Sequence, residues 1–232
     1  MATKGSLKNE QLKEKKIKVS KNGPYLVSGS VPLVQQEIGT NTEGDSCEWK
    51  TIKEYPLQEN YALCRCGKSG RRPFCDGTHL RVSYDGTENA SHKPYLDQAS
   101  EVNGPALKLT DAEVFCASAR FCHRASGIWK LVPQSDDPTA KSIAIEEAGN
   151  CPSGTLVVWD TVTDKAIEHE YQQSIVLVED PQKGVSGPIW VRGGIPIESA
   201  EGSTYEVRNR VTLCRCGKST NKPFCDSSHY PE

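Results

Sequence analysis

Leu63–His79 reads LCRCGKSGRRPFCDGTH, and Leu213–His229 reads LCRCGKSTNKPFCDSSH. Each copy has the spacing C-x-C-x8-C-x3-H: three thiols and one imidazole, enough donors to close four positions around metal. The C-x-C pair belongs at the end of an extended strand. Gly67 permits the turn that follows, and Pro73 limits the freedom of the loop before the third cysteine. The C-x3-H spacing is one helical turn, which sets Cys75 and His79 on a common face, as it does Cys225 and His229.

The repetition extends upstream of the cysteines. GPYLVSGSVPL (Gly23–Leu33) matches GPIWVRGGIPI (Gly187–Ile197) in its Gly, Pro and apolar positions, a pattern of short strands joined by turns. Tyr55 precedes Cys64 by nine residues, as Tyr205 precedes Cys214. A whole small β unit therefore occurs twice. The first copy is 14 residues longer between Gly and Cys (41 against 27), and the extra length holds EIGTNTEGDSCEW with Cys47.

Between the copies the pattern changes. Thr110 and Glu113 form a capping box that predicts a helix through Val114, Phe115 and Phe121. Asp137 as N-cap, Pro138 at the first helical position and Gly149 as stop predict a second helix that delivers Cys151 just past its C-terminus. GTLVVWDTVTDKAIEHE alternates as two strands around a turn at Thr163–Asp164. The expected fold class is α+β: two small β-rich cluster-binding units flanking a helical-plus-hairpin insert. The expected boundaries are a flexible basic tail at 1–15, a first unit at 16–87, a linker at 88–105, an insert at 106–178, a linker at about 178–185, and a second unit at 185–232.

The 28 Lys plus Arg against 30 Asp plus Glu leave a formal charge of -2, which argues against nucleic acid or an anionic membrane as the main partner. The first 20 residues contain no apolar signal core, and no run approaches the roughly 18 apolar residues of a spanning helix. The expectation is a soluble, cytoplasmic protein. Ten cysteines in a reducing compartment then point to metal or cluster ligation rather than disulfides. A structural Cys3His zinc site stays open as a filling, although C-x-C is tight for chelating one tetrahedral ion.

CRCGKSGRRPFCDGTH resembles the CDGSH iron–sulfur domain family, the NEET-type proteins. Ser69, Pro73, Asp76, Gly77 and Thr78 fit its pattern in the first copy, and Ser219, Pro223, Asp226 and Ser228 in the second, where Ser227 replaces glycine. The resemblance implies a 2Fe-2S cluster on each motif. One iron would be held by Cys64 and Cys66, or Cys214 and Cys216. The other would be held by Cys75 with His79, or Cys225 with His229. A neutral imidazole in place of a fourth thiolate leaves the centre less negative and easier to reduce, the direction seen when histidine replaces cysteine in Rieske centres. Arg65, Lys68, Arg71, Arg72, Arg215, Lys218 and Lys222 read equally well as solvated loop charge or as a field around each anionic centre. Serine tolerates positive φ less well than glycine, so Ser227 is where the two centres should differ.

Cys116-x5-Cys122 with a distant Cys151–Pro152 resembles the divergent single-cluster ferredoxins. Ala119 stands where the bacterial ferredoxin run would need a cysteine. That resemblance implies a third cluster with one ligand omitted, 3Fe-4S ahead of 4Fe-4S. His123, Cys47 or a small molecule in the open corner would restore 4Fe-4S. The competing reading is three buried structural cysteines. His92 and His169 are expected at the surface, and Trp129, Trp159 and Trp190 in the core.

Together these features imply an electron carrier rather than an enzyme, working with a redox partner protein. The alternative is iron–sulfur cluster storage and delivery to an apo-acceptor, and a third is a zinc-stabilised interaction module. Homodimeric relatives set two such motifs around a two-fold axis. Here both are expected to fold into one pseudo-symmetric unit within a monomer.

Overall fold

The computed structural model describes residues 14–231, so nearly all of the tail expected at 1–15 lies outside the described residues. The first repeat supplies β1 (Lys16–Val19), β2 (Tyr25–Ser28), β3 (Leu33–Thr40), β4 (Ser46–Glu54), β5 (Asn60–Leu63) and the one-turn α1 (Thr78–Arg81). The insert supplies β6 (Ser100–Asn103), β7 (Leu107–Asp111), α2 (Ile128–Leu131), α3 (Pro138–Asn150), β8 (Leu156–Asp160) and β9 (Lys165–Ile167). The second repeat supplies β10 (Ser174–Asp180), β11 (Val185–Arg192), β12 (Ile197–Glu198) and β13 (Arg210–Leu213). The strands form three sheets, ordered β12-β1-β2-β5, β13-β11-β10-β3-β4 and β6-β7-β8-β9, so the molecule is mixed sheet with few helices.

The two repeats exchange strands. Within each, an antiparallel pair (β1–β2, β10–β11) is extended by the strand that leads into C-x-C (β5, β13). The next segment crosses over: β12 pairs parallel to β1 with Ile17 opposite Ile197, and β3 pairs parallel to β10 with Ile175 opposite Leu33. The exchanged steps are equivalent down to the first hydrogen bond, Ile17 N to Pro196 O and Ile175 N to Pro32 O, both 2.9 Å. The 14 additional residues of the first copy are accommodated by the β3–β4 hairpin, which widens only the second sheet.

Exchange makes one core out of two repeats. Ile17, Val27, Leu33 and Leu63 from the first pack in a single cluster with Ile175, Val191, Ile197 and Leu213 from the second. The other face of the second sheet is also covered: Val176, Val178 and Trp190 pack on Ala119 and Phe121 of the insert, and Trp49 from β4 stacks between Phe121 and Trp190. Burial on both faces explains why β10 and β11 read as continuous apolar runs rather than alternating ones.

The insert departs from its sequence pattern at one end. The helix expected from Thr110 is absent. Residues 107–111 are a strand, because Leu107 and Leu109 alternate into the insert core while the backbone pairs with β6 and β8. Glu113–Phe115 and Phe121–Ser126 form only 3-10 turns. The second helix is α3, with the Asp137 side chain accepting from Ala140 N and Cys151 at its C-cap. β8 and β9 flank the turn at Thr163–Asp164.

Two of the expected linkers are structural. Residues 88–105 hold β6 and a buried Tyr95, whose hydroxyl meets the Thr110 and Thr155 carbonyls at 2.9 Å, and the Asn89 and Ala90 amides donate to Lys222 O. Residues 178–185 lie in the β10–β11 hairpin, so the second unit begins at β10. Trp190 is buried and Trp159 half-buried. Trp129, expected in the core, is exposed and its indole N–H donates to Asp111. His92 and His169 are exposed. Among the described residues no helix is long and apolar enough to cross a membrane.

Candidate metal centres

Each C-x-C stands where its strand ends, and the loop is stitched back to that strand identically in both copies. Cys64 N donates to Pro73 O and Cys214 N to Pro223 O, both at 2.8 Å, and Cys75 N and Cys225 N donate to the carbonyls of Ala62 and Thr212 at 2.9 Å. Ser69 and Ser219 donate to the Phe74 and Phe224 carbonyls at 2.7 Å. The aspartate after the third cysteine then sets the turn before each histidine. Asp76 accepts from the Gly70 and Thr78 amides, and Asp226 from those of Thr220 and Ser228. The Thr78 bonds hold the Asp76 carboxyl well below the usual carboxylate range. Burial opposes the same effect at Asp226, yet the Ser228 and Thr220 bonds bring it down to about 2. Both turns therefore stay ionised and locked at neutral pH.

The donors arrive in pairs. Cys64 and Cys66 Sγ are 3.7 Å apart, as are Cys214 and Cys216. Cys75 Sγ is 3.4 Å from His79 Nδ1, and Cys225 Sγ 3.5 Å from His229 Nδ1. A tetrahedral ion with metal–sulfur near 2.3 Å and metal–nitrogen near 2.0 Å separates two sulfurs by about 3.8 Å, and sulfur from nitrogen by about 3.5 Å. Each pair is thus one edge of a coordination tetrahedron. Among the described residues no three His, Cys, Asp or Glu side chains converge as a single-ion site. Each motif thus brings its four donors as two such edges, an arrangement that a centre with two metal positions can take.

Burial prepares the donors for a cation. It raises the Cys66, Cys116, Cys122 and Cys225 thiols above their ordinary value, and the contact with Cys216, together with burial, raises Cys214. Cys216, which receives the Cys214 hydrogen bond and the Lys218 amide, is lowered to about 7. Neighbouring thiols that cannot all ionise alone do so together when metal supplies the compensating charge. His229 is lowered to about 4, by burial first and by Arg215 second, so its ring is a neutral donor.

The two motifs meet back to back. A Cβ at Gly67 would lie 2.5 Å from Cys216 O, and one at Gly217 would lie 2.7 Å from Cys66 O. Each glycine also has positive φ, 69° and 82°. Tyr25 of the first repeat donates toward Cys214 O (2.9 Å) and Pro223 O (3.0 Å) of the second. The residue between the paired cysteines points inward. Arg65 is 1% exposed, donates to Ser20 O and Gly86 O, and lies over Tyr25 and Tyr84. Arg215 reaches Gly187 O, Val178 O and Glu179. Neither arginine is a solvated loop charge. Period-two alternation, with thiols on one side and arginine on the other, was the signal for this.

A cleft of about 620 Å³ opens where the motifs join, with Cys216 and His229 in its wall and Lys53, Lys68, Arg72 and Lys218 around it. Of the exposed members of the basic set singled out above, Lys68, Arg72 and Lys218 line this cleft beside a donor site, and Arg71 does not.

In the insert, Cys122 and Cys151 belong to one cluster of core residues, and Cys116 follows the 3-10 turn that leads toward them. Burial is the leading cause of the raised Cys116 and Cys122 thiols, and the Cys151 charge adds to it at both. Of the residues considered for a fourth corner, Cys47 donates to Gly39 O at 3.6 Å within its own hairpin, and His123 is exposed with its ring edge on Trp129. Arg210 was missed by sequence reasoning. It is 2% exposed and donates to the carbonyls of Ala148, Gly149, Cys151 and Leu156 while pairing with Glu168 at 2.8 Å.

Glu147 was also missed. It is fully buried on the Cys151 face of α3, with no hydrogen-bond partner on either carboxylate oxygen. Burial raises its carboxyl from about 4.5 to about 7, with Arg124 pulling down and Glu146 and Asp45 pushing up. The folded chain therefore holds a proton that the unfolded chain releases, so stability falls as pH rises from about 4.5 through about 7. Glu147→Gln, neutral throughout, should gain on the wild type by about 2 kcal/mol between pH 5 and pH 8 in urea unfolding. Parallel pH profiles for the two proteins would remove Glu147 as the cause.

Comparison with known proteins agrees with this geometry. Residues 22–80 and 186–230 each match the family described as iron-binding zinc finger CDGSH type, and residues 102–161 match the family described as divergent 4Fe-4S mono-cluster. No curated protein matches the chain. The paired donors and these matches together make the chain an iron–sulfur-binding protein, with two CDGSH-type regions flanking a divergent 4Fe-4S mono-cluster region.

Proposed function

We propose that this chain is a non-catalytic electron carrier with two 2Fe-2S centres and a third, 3Fe-4S centre in the insert. The observation that carries the reading is the division of each motif into a Cys–Cys pair and a Cys–His pair, two donors for each of two irons. Bound there, each cluster supplies a one-electron couple. The protein's own part is to hold the thiolates together, keep the imidazole neutral and bring the two motifs into contact through Gly67 and Gly217. In the insert, Cys116, Cys122 and Cys151 supply three ligands, the number that 3Fe-4S needs.

The basic cleft supports an acidic redox protein as the partner, because Lys53, Lys68, Arg72 and Lys218 face solvent around Cys216 and His229. Strand exchange within one chain supports a monomer as the working form, since it already closes the core that two copies would otherwise share. One observation favours the second reading, cluster delivery: His79 lines an open pocket with Asn22, Ser83 and Tyr84, and Leu80 beside it is 77% exposed, so this centre is accessible to an acceptor.

Anaerobic purification with iron, sulfide and zinc counts, and EPR before and after reduction, tests the proposal. Two reduced 2Fe-2S signals and one oxidised 3Fe-4S signal are expected, surviving repeated redox cycles. Iron that moves to an apo-ferredoxin while the holo form bleaches would favour delivery. A colourless zinc protein would refute both.

A further inference from the structure

Ser227, the one departure from the CDGSH pattern, is explained by the insert. Its φ is 72°, close to the 83° of Gly77, so the turn has the glycine conformation in spite of the side chain. The hydroxyl donates to Cys116 O at 2.7 Å and accepts from Ser118 Oγ at 2.7 Å. Ser118 and Arg120 are themselves non-glycine residues at positive φ, 52° and 64°, so the loop after Cys116 is strained and must be held from outside.

Among the described residues, the hydrogen bonds that reach this loop from outside the insert come from the second repeat, while Ile38 and Trp49 of the first repeat add apolar contact at Ala119 and Phe121. Besides Ser227, Tyr230 lies 3.1 Å from Ser118 O and binds Asp180, and Arg120 bridges Ser118 O, Asp180 and Tyr230 at 2.8–3.0 Å. Asn221 donates to Val114 O at 3.0 Å. The held loop in turn aims Ser118 N at Cys116 Sγ, 3.4 Å away. At the equivalent places the first motif has Gly77, around which a Cβ would meet nothing within 4 Å, and exposed Arg71 and Leu80.

Resting on the iron–sulfur reading of all three sites, we propose that the second CDGSH-type site is the platform on which the insert site assembles, with Ser227 as the positioning residue. Ser227 sits between Cys225 and His229, so a centre ligated by those two residues clamps the turn that carries the hydroxyl from both sides. The Cys116 loop is then held in its strained form, and the insert site fills after the second site and independently of the first. The coupling is reciprocal: a filled insert site tightens the second site's hold on its own centre by the same factor.

The full chain, loaded anaerobically, tests this with paired variants. Cys225→Ser should lose iron from the insert as well as from its own site, whereas Cys75→Ser should lose only its own, as read by iron counts and by the EPR signal of the insert centre. Ser227→Gly restores the motif residue, relaxes the positive φ and is the mild variant for folding. It should leave the melting temperature and the second centre in place while the insert centre's affinity for its metal falls roughly 10–100-fold, the usual loss on removing an outer hydrogen-bond partner of a ligating residue, and a chelator strips it faster. Equal insert losses in Cys75→Ser and Cys225→Ser, or an unchanged stripping rate in Ser227→Gly, would overturn the platform alone. A wild-type chain with four irons and an empty insert would overturn the proposal together with the reading beneath it.

Discussion

Arg210→Met is expected to destabilise the chain by about 3–5 kcal/mol, the cost of breaking a buried charged pair and leaving its partners unmatched. The guanidinium lies at the C-terminal end of α3, where it answers the carbonyls of Ala148, Gly149 and Cys151 together with that of Leu156, and pairs with Glu168. Methionine fills similar volume and makes none of these bonds. The helix end then keeps unpaired carbonyls next to the half-buried Glu168 carboxylate. Urea unfolding at neutral pH reads the effect as a fall in midpoint at constant slope. Because Arg210 stands in β13, three residues before Leu213 and the second C-x-C, the insert centre should also become labile through the Cys151 carbonyl. A loss under about 1 kcal/mol would mean that water replaces the guanidinium at little cost.

Gly67→Ala should cost about 3 kcal/mol, combining about 1–2 for a left-handed residue with a Cβ and about 1–3 for overpacking against rigid backbone. The added methyl would meet Cys216 O at 2.5 Å and its carbonyl carbon at 2.8 Å, and neither can swing away as a side-chain tip would. Gly77→Ala is the matched control. Its φ of 83° carries the same conformational cost, but its Cβ meets nothing within 4 Å, so only about 1–2 kcal/mol is expected. The distinguishing result is where the damage appears. Gly67→Ala lies in the first motif and should disturb the second centre through Cys216. Equal costs for the two variants, or damage confined to the first centre, would contradict the back-to-back contact.

The chemistry of the sites was legible because it is local. C-x-C at a strand end, Cys-x3-His within one turn, and Asp137–Pro138 opening a helix that ends at Cys151 each depend on neighbours a few residues away. The misread helix at Thr110 shows the limit of local signals. Its capping box was genuine as a pattern, but the Thr110 hydroxyl accepts from Trp159 and lies 3.0 Å from the Tyr95 hydroxyl, and its backbone pairs across a sheet. Tertiary partners of that kind outweigh a propensity worth a fraction of a kcal/mol.

Residue order alone shows two equivalent β units, the candidate donors at the same places in each, and the break in that equivalence at Ser227. It carried no sign of strand exchange, because Ile17 meets Ile197 and Ile175 meets Leu33 across 140 residues or more, and pairing at that range is selected by which arrangement buries both apolar sets in one core. The fold alone puts Arg65 and Arg210 in the interior, buries Glu147 with neither carboxylate oxygen hydrogen-bonded, and leans the insert on the second motif. These are facts about what a side chain is folded against, and no residue states that in its own neighbourhood.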